Sequence, residues 1–421
     1  MSTSHSAPAP LQGVKVIELT HLIAGPYCTQ LLAEEGASVI KIEPPGGELT
    51  RHREPFRHSA QGSISGYFGA LNRGKKSLVL DLKNAQGLGL LHQLLEAADV
   101  FVTNLRAGAL ERLGIHPDAL HARYPRLIVA CISGFGMKDA GANAERAGLA
   151  MVAEAMSGTT GLTRDHAGNP VWCGFAMGDI LAGMTAHAGI LLALRNQERL
   201  GTGRVLDIGM VECSLPMVSV ALAREQSASA ELRAFAGSNN FHGVPYGAFP
   251  AADGYVNIGV NRDHYWKRLC QAMGRPELGD DPRYATYVER AKRQHEVSDI
   301  TEAFTRKHTR AEIEARLAKA DVPVASILSM AELTQDAYLR QRGALRTIED
   351  GIGGTMSLPA DPTRFEPAPG TARVPLLDEH RADVLSIELG LDAAVIAGLE
   401  QAGAFGATTG SPGHRGAGAT H

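Results

Sequence analysis

Two short apolar runs joined by one helical stretch constrain this chain more than anything else in it. Val14–Leu19 (VKVIEL) and Ser38–Glu43 (SVIKIE) each read as a short buried strand. Between them THLIAGPYCTQLLAEEGA turns into a helix. Strand, helix, strand makes a β–α–β unit, which implies a parallel sheet and α/β layers. A dinucleotide site at the first turn would need G-x-G-x-x-G, whereas the turn reads Thr20-His21-Leu22-Ile23-Ala24-Gly25-Pro26. A standard NAD or FAD site is excluded there.

Pro44–Asn72 is rich in Gly, Arg and His and has no clear period, so it reads as a long functional loop. Gly69–Lys75 matches G-x-x-x-x-G-K, but Lys76 follows where Ser or Thr belongs, and then a strand instead of a helix. Nucleotide hydrolysis is discarded. The alternation resumes with strand Leu78–Leu82, helix Ala85–Ala97, strand Val100–Asn104, a short helix through Leu113, strand Leu127–Ile132 and a helix in Gly148–Ser157. After the polar stretch Gly158–Val171 come a long helix, strand Val205–Ile208 and helix Val211–Ala223.

From about Glu225 the texture changes to a linker, a hairpin turning at Asp253-Gly254, and short helices His264–Met273, Ser298–Lys307 and Ala311–Ala320. Strand patterns return at Pro323–Leu328 and Gly351–Leu358. The expected organisation is a large domain over 1–224, a small domain over 225–321, a segment 322–401 returning to the large domain, and a disordered tail over 402–421. The first ten residues form a disordered lead.

A length of 421 residues exceeds one ordinary core. The net charge of −4 gives no reason to expect nucleic acid or an anionic membrane as partner. No apolar run reaches the ~18 residues of a membrane span. Five scattered cysteines without C-x-x-C read as reduced core thiols, and the expected compartment is the cytoplasm. With no G-x-S-x-G elbow, H-E-x-x-H or His/Cys cluster, neither a serine hydrolase nor a metal site is expected.

Val171–Met210 holds one acidic residue before Glu198, Asp179, at the mouth of a helix whose apolar residues recur at helical spacing. Two readings are open. Asp179 is an ordinary N-cap favoured by free N–H groups and the helix dipole, or it is a nucleophilic carboxylate that becomes covalently acylated.

Four stretches, LQGVKVIELTHLIAGPYCTQLLAEEGASVIKIEPP, NRGKKSLVLDLKNAQG, VTNLRAGALERLGI and GDILAGMTAHAGILLALRNQERLGTGRVLDIGMVE, together resemble the family III CoA-transferases. These include the formyl-CoA and carnitine CoA-transferase types. The likeness runs from Leu11 to about Asp383. It implies a Rossmann-like parallel-sheet large domain, a smaller α+β domain and an interlocked homodimer with active sites between large and small domains. It implies transfer of CoA from an acyl-CoA to a small free carboxylic acid, with CoA as substrate and no permanently bound cofactor or metal. Asp179 matches the family's nucleophile, which passes through aspartyl anhydride and aspartyl-CoA thioester intermediates.

By the same resemblance Leu22, Ile23, Ala24, Leu80, Lys83, Asn104, Leu105 and Arg112 line the CoA site, with Lys83 and Arg112 suited to its phosphates. His21, Arg51 and Arg53 are candidates to meet the acid, and the Arg- and His-rich loop 51–58 would suit a dicarboxylate. Pro44-Pro45 stands where some relatives place a basic CoA contact. The region Phe241–Phe249 lacks the glycine run of the formyl-CoA branch, so formate and oxalate are not favoured. The related α-methylacyl-CoA racemases carry G-H-D where this chain reads Gly148-Leu149-Ala150, and Leu149 cannot exchange a proton. A catalytically silent CoA-binding protein is the alternative outside enzymology.

Overall fold

A computed structural model of the chain describes residues 8–144, 146–165, 168–227, 243–363 and 372–406. The expected linker beyond Ser227, including Phe241 and His242, the tail from 407 and most of the N-terminal lead lie outside the described residues. The chain opens with β1 (Lys15–Leu19), α1 (Ala24–Glu34) and β2 (Ser38–Glu43). The stretch read as a loop is structured. It holds a hairpin of β3 (Phe56–Ser59) and β4 (Gly62–Ser65), then α2 (Gly66–Asn72) capped by the Ser65 hydroxyl. Four-residue strands are too short for the period-2 signal to stand out, so this hairpin escaped the pattern.

Then come β5 (Lys76–Val79), α3 (Ala85–Glu96), β6 (Val100–Thr103), α4 (Ala107–Arg112), α5 (Pro117–Arg123) and β7 (Ile128–Ser133). Helices α6 (Ala150–Met156), α7 (Thr159–Leu162) and α8 (Met177–Leu200) precede β8 (Val205–Gly209). The expected helix over 211–223 is interrupted around Pro216, giving a short helix Met210–Ser214, a tight turn Leu215–Val218 and a nine-residue helix Ser219–Ser227, because the missing N–H cannot continue the ladder.

The six parallel strands lie in the order β5-β2-β1-β6-β7-β8. The order reverses between β1 and β6, so the loops leaving those two strands part in opposite directions and open a crevice. Alternate strand residues feed the two faces. Val16, Val39, Val100, Ile128 and Ala130 pack with α1 and α8, while Ile17, Ile40, Leu78, Phe101 and Val129 pack with α3 and the C-terminal helix Arg381–Leu389.

An 18-residue stretch of α8 has mean hydropathy 1.5, long and apolar enough by composition to cross a membrane, which the apolar runs alone did not suggest. Its buried residues, Ala182, Ala186, Ile190 and Ala193, lie in the core with α1 and the sheet.

The chain divides into two compact units at places other than the sequence boundaries. One runs through Glu154 and resumes over Ala176–Ser214 and from Arg340; the other comprises Ala155–Phe175 and Leu215–Leu339. The strand within Pro323–Leu328 does not return to the large sheet. β11 (Val324–Ser326) pairs with β10 (Gly254–Gly259), which pairs in turn with β9 (Tyr246–Ala251), in an antiparallel sheet of the smaller unit. The first residues of the expected tail are packed: Ala404 and Phe405 are buried, and the Ala404 carbonyl accepts the Asp81 N–H at 2.8 Å.

Candidate active site

The turn after β1 is shaped by crowding. Leu22 sits at φ 64°, a left-handed conformation that costs a β-carbon-bearing residue about 1–2 kcal/mol. At Gly25 a β-carbon would fall 2.5 Å from Thr20 Cγ2, so only glycine closes the turn into α1. What holds the turn is a buried ionic cluster. Glu18 on β1 accepts from Lys41 Nζ at 2.8 Å, Thr20 Oγ1 at 2.5 Å and Thr29 Oγ1 at 2.7 Å, and Lys75 Nζ lies at 2.9 Å.

The two ammonium groups grip the backbone at either end of the turn. Lys41 donates to the Thr20 carbonyl at 3.1 Å and Lys75 to the Pro26 carbonyl at 2.8 Å. Burial alone would push Glu18 up, but the two lysines outweigh it and hold the carboxyl down at about 2. Burial, with Lys41's like charge, lowers Lys75 to about 8 despite Glu18.

Across the crevice, the Asn104 side chain after β6 makes two hydrogen bonds to the His21 backbone, accepting from its N–H at 3.0 Å and donating to its carbonyl at 2.7 Å. This staples the two loops at the point where the strand order reverses. Burial lowers the His21 imidazole below its ordinary value, with Lys41 and Arg106 adding to the effect against Glu48.

Asp179 reaches this turn from α8. The reading of Asp179 as an ordinary N-cap does not hold. Ala176 is the cap residue, no side chain caps the helix, and Asp179 is the third helical residue. Its carboxylate instead faces the N–H of Ala24, the first residue of α1, which favours its ionised form. It therefore sits on the unsatisfied donors of another helix. The approach depends on Gly183, where a β-carbon would fall 2.8 Å from the Ala24 carbonyl. Burial pushes the Asp179 carboxyl up to about 6, the Ala24 N–H opposes this, and Glu154 adds repulsion.

Asp179 lines a cavity of about 270 Å³ with His21, Leu22, Ala24, Asn104 and Leu105. Its further walls include Arg106, Arg146, Phe135 and Met137, none of them singled out from sequence. Arg106 directly follows Asn104-Leu105 and could have been found by that adjacency. Arg146 lies in an aperiodic stretch that gave no signal. Asp207 fixes this wall by accepting the N–H groups of Met137 and Lys138, both at 2.8 Å.

A second cavity of about 720 Å³ shares His21 and Leu105 with the first and is otherwise lined by Leu80, Lys83, Pro44, Pro45 and neighbours. Of the remaining candidates, Ile23 and Arg112 line neither cavity, although Leu113 lines the second. Arg51 is spent elsewhere. It pairs with buried Glu43 at 2.6 and 2.8 Å, and its guanidinium stacks 3.7 Å above Phe68. Arg53 is exposed and lies in the field of Tyr67, which also feels Asp179.

The sequence profile of CoA-transferase family III matches residues 11–381. The chain is 34% identical over 392 residues to succinyl-CoA–D-citramalate CoA-transferase of Chloroflexus aurantiacus, covering 92% of this chain and 96% of that protein. It is 34% identical to succinyl-CoA:mesaconate CoA-transferase of Haloarcula hispanica, covering 89% and 95%. Among solved structures, a CAIB/BAIF family protein from Brucella suis superposes with a TM-score of 0.78 at 30% identity, over 90% of this chain and 99% of that one.

Proposed function

Because the chain belongs to CoA-transferase family III and is a CoA-transferase, we propose that it moves CoA between a CoA thioester and a dicarboxylic acid, with Asp179 as the covalent nucleophile. The observation that carries this reading is the placement of Asp179. It is a desolvated carboxylate facing the N-terminal N–H of another helix, in a cavity at the switch point of the sheet.

Asp179 attacks the thioester carbonyl carbon, the C–S bond breaks, and CoA thiolate leaves behind a mixed anhydride. The thiolate attacks the aspartyl carbon of that anhydride, which releases the first acid as carboxylate and leaves an aspartyl-CoA thioester. The second acid attacks this thioester, and the returning thiolate takes its acyl group, restoring Asp179. Charge and protons balance throughout, and one thioester is exchanged for another. Dividing the exchange lets a carboxylate do what a bimolecular attack of acid on thioester does slowly.

CoA spans the two adjoining cavities in this reading, its thioester beside Asp179 and its nucleotide end beside Leu80 and Lys83. Two relatives are named for succinyl-CoA and a dicarboxylic acid. The cavity around Asp179 has the charge such acids require, with Arg106 and Arg146 on its wall. The racemase alternative lacks its second base at Leu149.

Two variants separate the binding roles. Lys83→Met raises KM for every acyl-CoA by about 3- to 30-fold and leaves kcat nearly unchanged, as loss of uniform binding does. Arg146→Gln lowers kcat/KM for succinate by about 10- to 100-fold but hardly alters butyrate, because the lost guanidinium served only the remote carboxylate. An equal loss for both acids would refute the assignment of Arg146.

Self-association belongs to the same reading. On α8, Met184, Leu192 and Leu200 are 50–70% exposed, and the smaller unit leaves Leu215, Met217, Val220 and Leu222 exposed. Such apolar surface is characteristic of a face covered by another subunit. Sedimentation at micromolar concentration is expected to give twice the chain mass; a monomer would exclude the dimer. The scattered, unpaired cysteines support a cytoplasmic setting for this activity.

A further inference from the structure

One buried acidic side chain near the reacting group has no part in the mechanism above. Glu154 on α6 is 1% exposed and absent from the walls of the Asp179 cavity. Its Oε1 accepts the N–H of Gly178, the residue before Asp179, at 3.0 Å. Helix α6 lies directly on that point. A β-carbon at Gly178 would sit 3.3 Å from the Ala150 carbonyl, one turn before Glu154 on the same helix.

A carboxylate is a favoured acceptor at a helix N-terminus. The first N–H groups of a helix are what a developing oxyanion or an anionic ligand would otherwise use. Occupying one of them with a buried charge places a second negative group beside the attacking one.

We infer that Glu154 is a positioning residue for the Asp179 nucleophile: it pins the Gly178 N–H at the entrance of α8 and, through its buried charge, keeps the Asp179 carboxylate basic enough to attack a thioester. The inference rests on Asp179 being the nucleophile. The other groups that face Asp179 pull differently. The Ala24 N–H faces it from α1 and favours its ionised form, His21 and the cationic Arg106 and Arg146 share its cavity, and Tyr67 on α2 is electrostatically coupled to it. Among these, Glu154 adds the negative charge. A more basic carboxylate is a stronger nucleophile wherever it remains ionised, so the benefit appears at neutral and alkaline pH.

The test uses Glu154→Gln, which keeps an oxygen acceptor for Gly178 and removes the charge, and Glu154→Asp, which keeps the charge on a shorter arm. Each full-length protein is mixed with succinyl-CoA, and the hydroxylamine-sensitive adduct on Asp179 is followed by mass spectrometry from pH 4.5 to 9. In Glu154→Gln the midpoint of the profile is expected to fall by about one pH unit, with adduct formation about 3- to 10-fold slower at pH 8 and equal or faster below pH 5.5. In Glu154→Asp the midpoint stays near the wild-type value.

A uniform loss at every pH with an unmoved midpoint would overturn the inference, since a purely structural role predicts that. The same holds for a Glu154→Gln profile that superimposes on wild type. Carbodiimide labelling of Asp179 in substrate-free protein, mapped by peptide mass spectrometry, reports the same midpoint without any transfer. A wild type that forms no adduct would therefore sink the nucleophile reading, and an unmoved labelling midpoint in Glu154→Gln would sink the coupling alone.

Discussion

Asp179→Asn is expected to abolish CoA transfer, by at least about 10⁴-fold in kcat, and to make the protein more stable at the same time. The amide keeps the shape and the acceptor for the Ala24 N–H but cannot form an anhydride. Intact-mass spectra after incubation with succinyl-CoA should show a hydroxylamine-sensitive adduct on wild type and none on the variant. An adduct that persists in Asp179→Asn would place the nucleophile elsewhere. α-Proton exchange without any adduct in wild type would favour the racemase chemistry.

The stability gain follows from linkage. Asp179 is raised in the folded protein from an ordinary 3.8 to about 6, so the folded state binds the proton more tightly than the unfolded state. Folding is therefore favoured below pH 3.8 relative to neutral pH, and that advantage is lost as pH rises through 6. Above pH 6 the ionised carboxylate costs about 1–2 kcal/mol, allowing for partial screening by water. Asn carries no such cost. Urea unfolding at pH 8 should show the variant more stable by that amount, with the difference shrinking towards pH 4. Equal stability at pH 8 would mean that the site imposes no desolvation cost.

Glu18→Gln is expected to destabilise the fold by about 3–5 kcal/mol at pH 7, the usual cost of removing one partner from a buried ionic cluster. Lys41 and Lys75 would then hold two positive charges in the core with no counter-charge. The sign of the pH dependence is diagnostic. Lys75 is already lowered to about 8, so the unfolded chain binds more protons than the folded one between pH 8 and 10.5. Stability on its account rises with pH across that window. Without Glu18, Lys75 falls further and Lys41, now held above its ordinary value by Glu18, loses that support, so the rise should begin at lower pH and be steeper.

Unfolding midpoints measured from pH 6 to 10 test this. A Glu18→Gln midpoint equal to wild type at pH 7 would show the cluster to be energetically idle. Lys75→Met should cost less, because it leaves Glu18 paired with Lys41. Transfer activity should fall in Glu18→Gln even where it remains folded, since the cluster fixes the turn that presents the Ala24 N–H to Asp179.

The layer architecture was legible in the sequence because it follows from local periodicity. VKVIEL and SVIKIE are buried on both faces and flank a helix, which permits little besides a parallel sheet. Asp179, His21, Asn104 and Leu105 were legible too, through motif resemblance, and the structure brings them to one cavity. The ion pair of Arg51 was not legible, because an arginine's partner is set by tertiary geometry. Glu43 lies across the end of β2 and takes its guanidinium. Arg146 and Glu154 were missed for the same reason, whereas Arg106 was within reach through its adjacency to Asn104-Leu105. Nothing periodic marks a residue whose role is to face a cavity or to hold one distant N–H.

Sequence alone thus determined the class of fold, the strand–helix alternation and which carboxylate matches the family's nucleophile, all encoded over a few residues or in ordered motifs. Tertiary structure decided where that carboxylate sits. Asp179 is the third residue of its own helix and faces the first N–H of another. Such pairings join residues 155 positions apart, and they exist only once close packing at Gly183 lets the two helices meet.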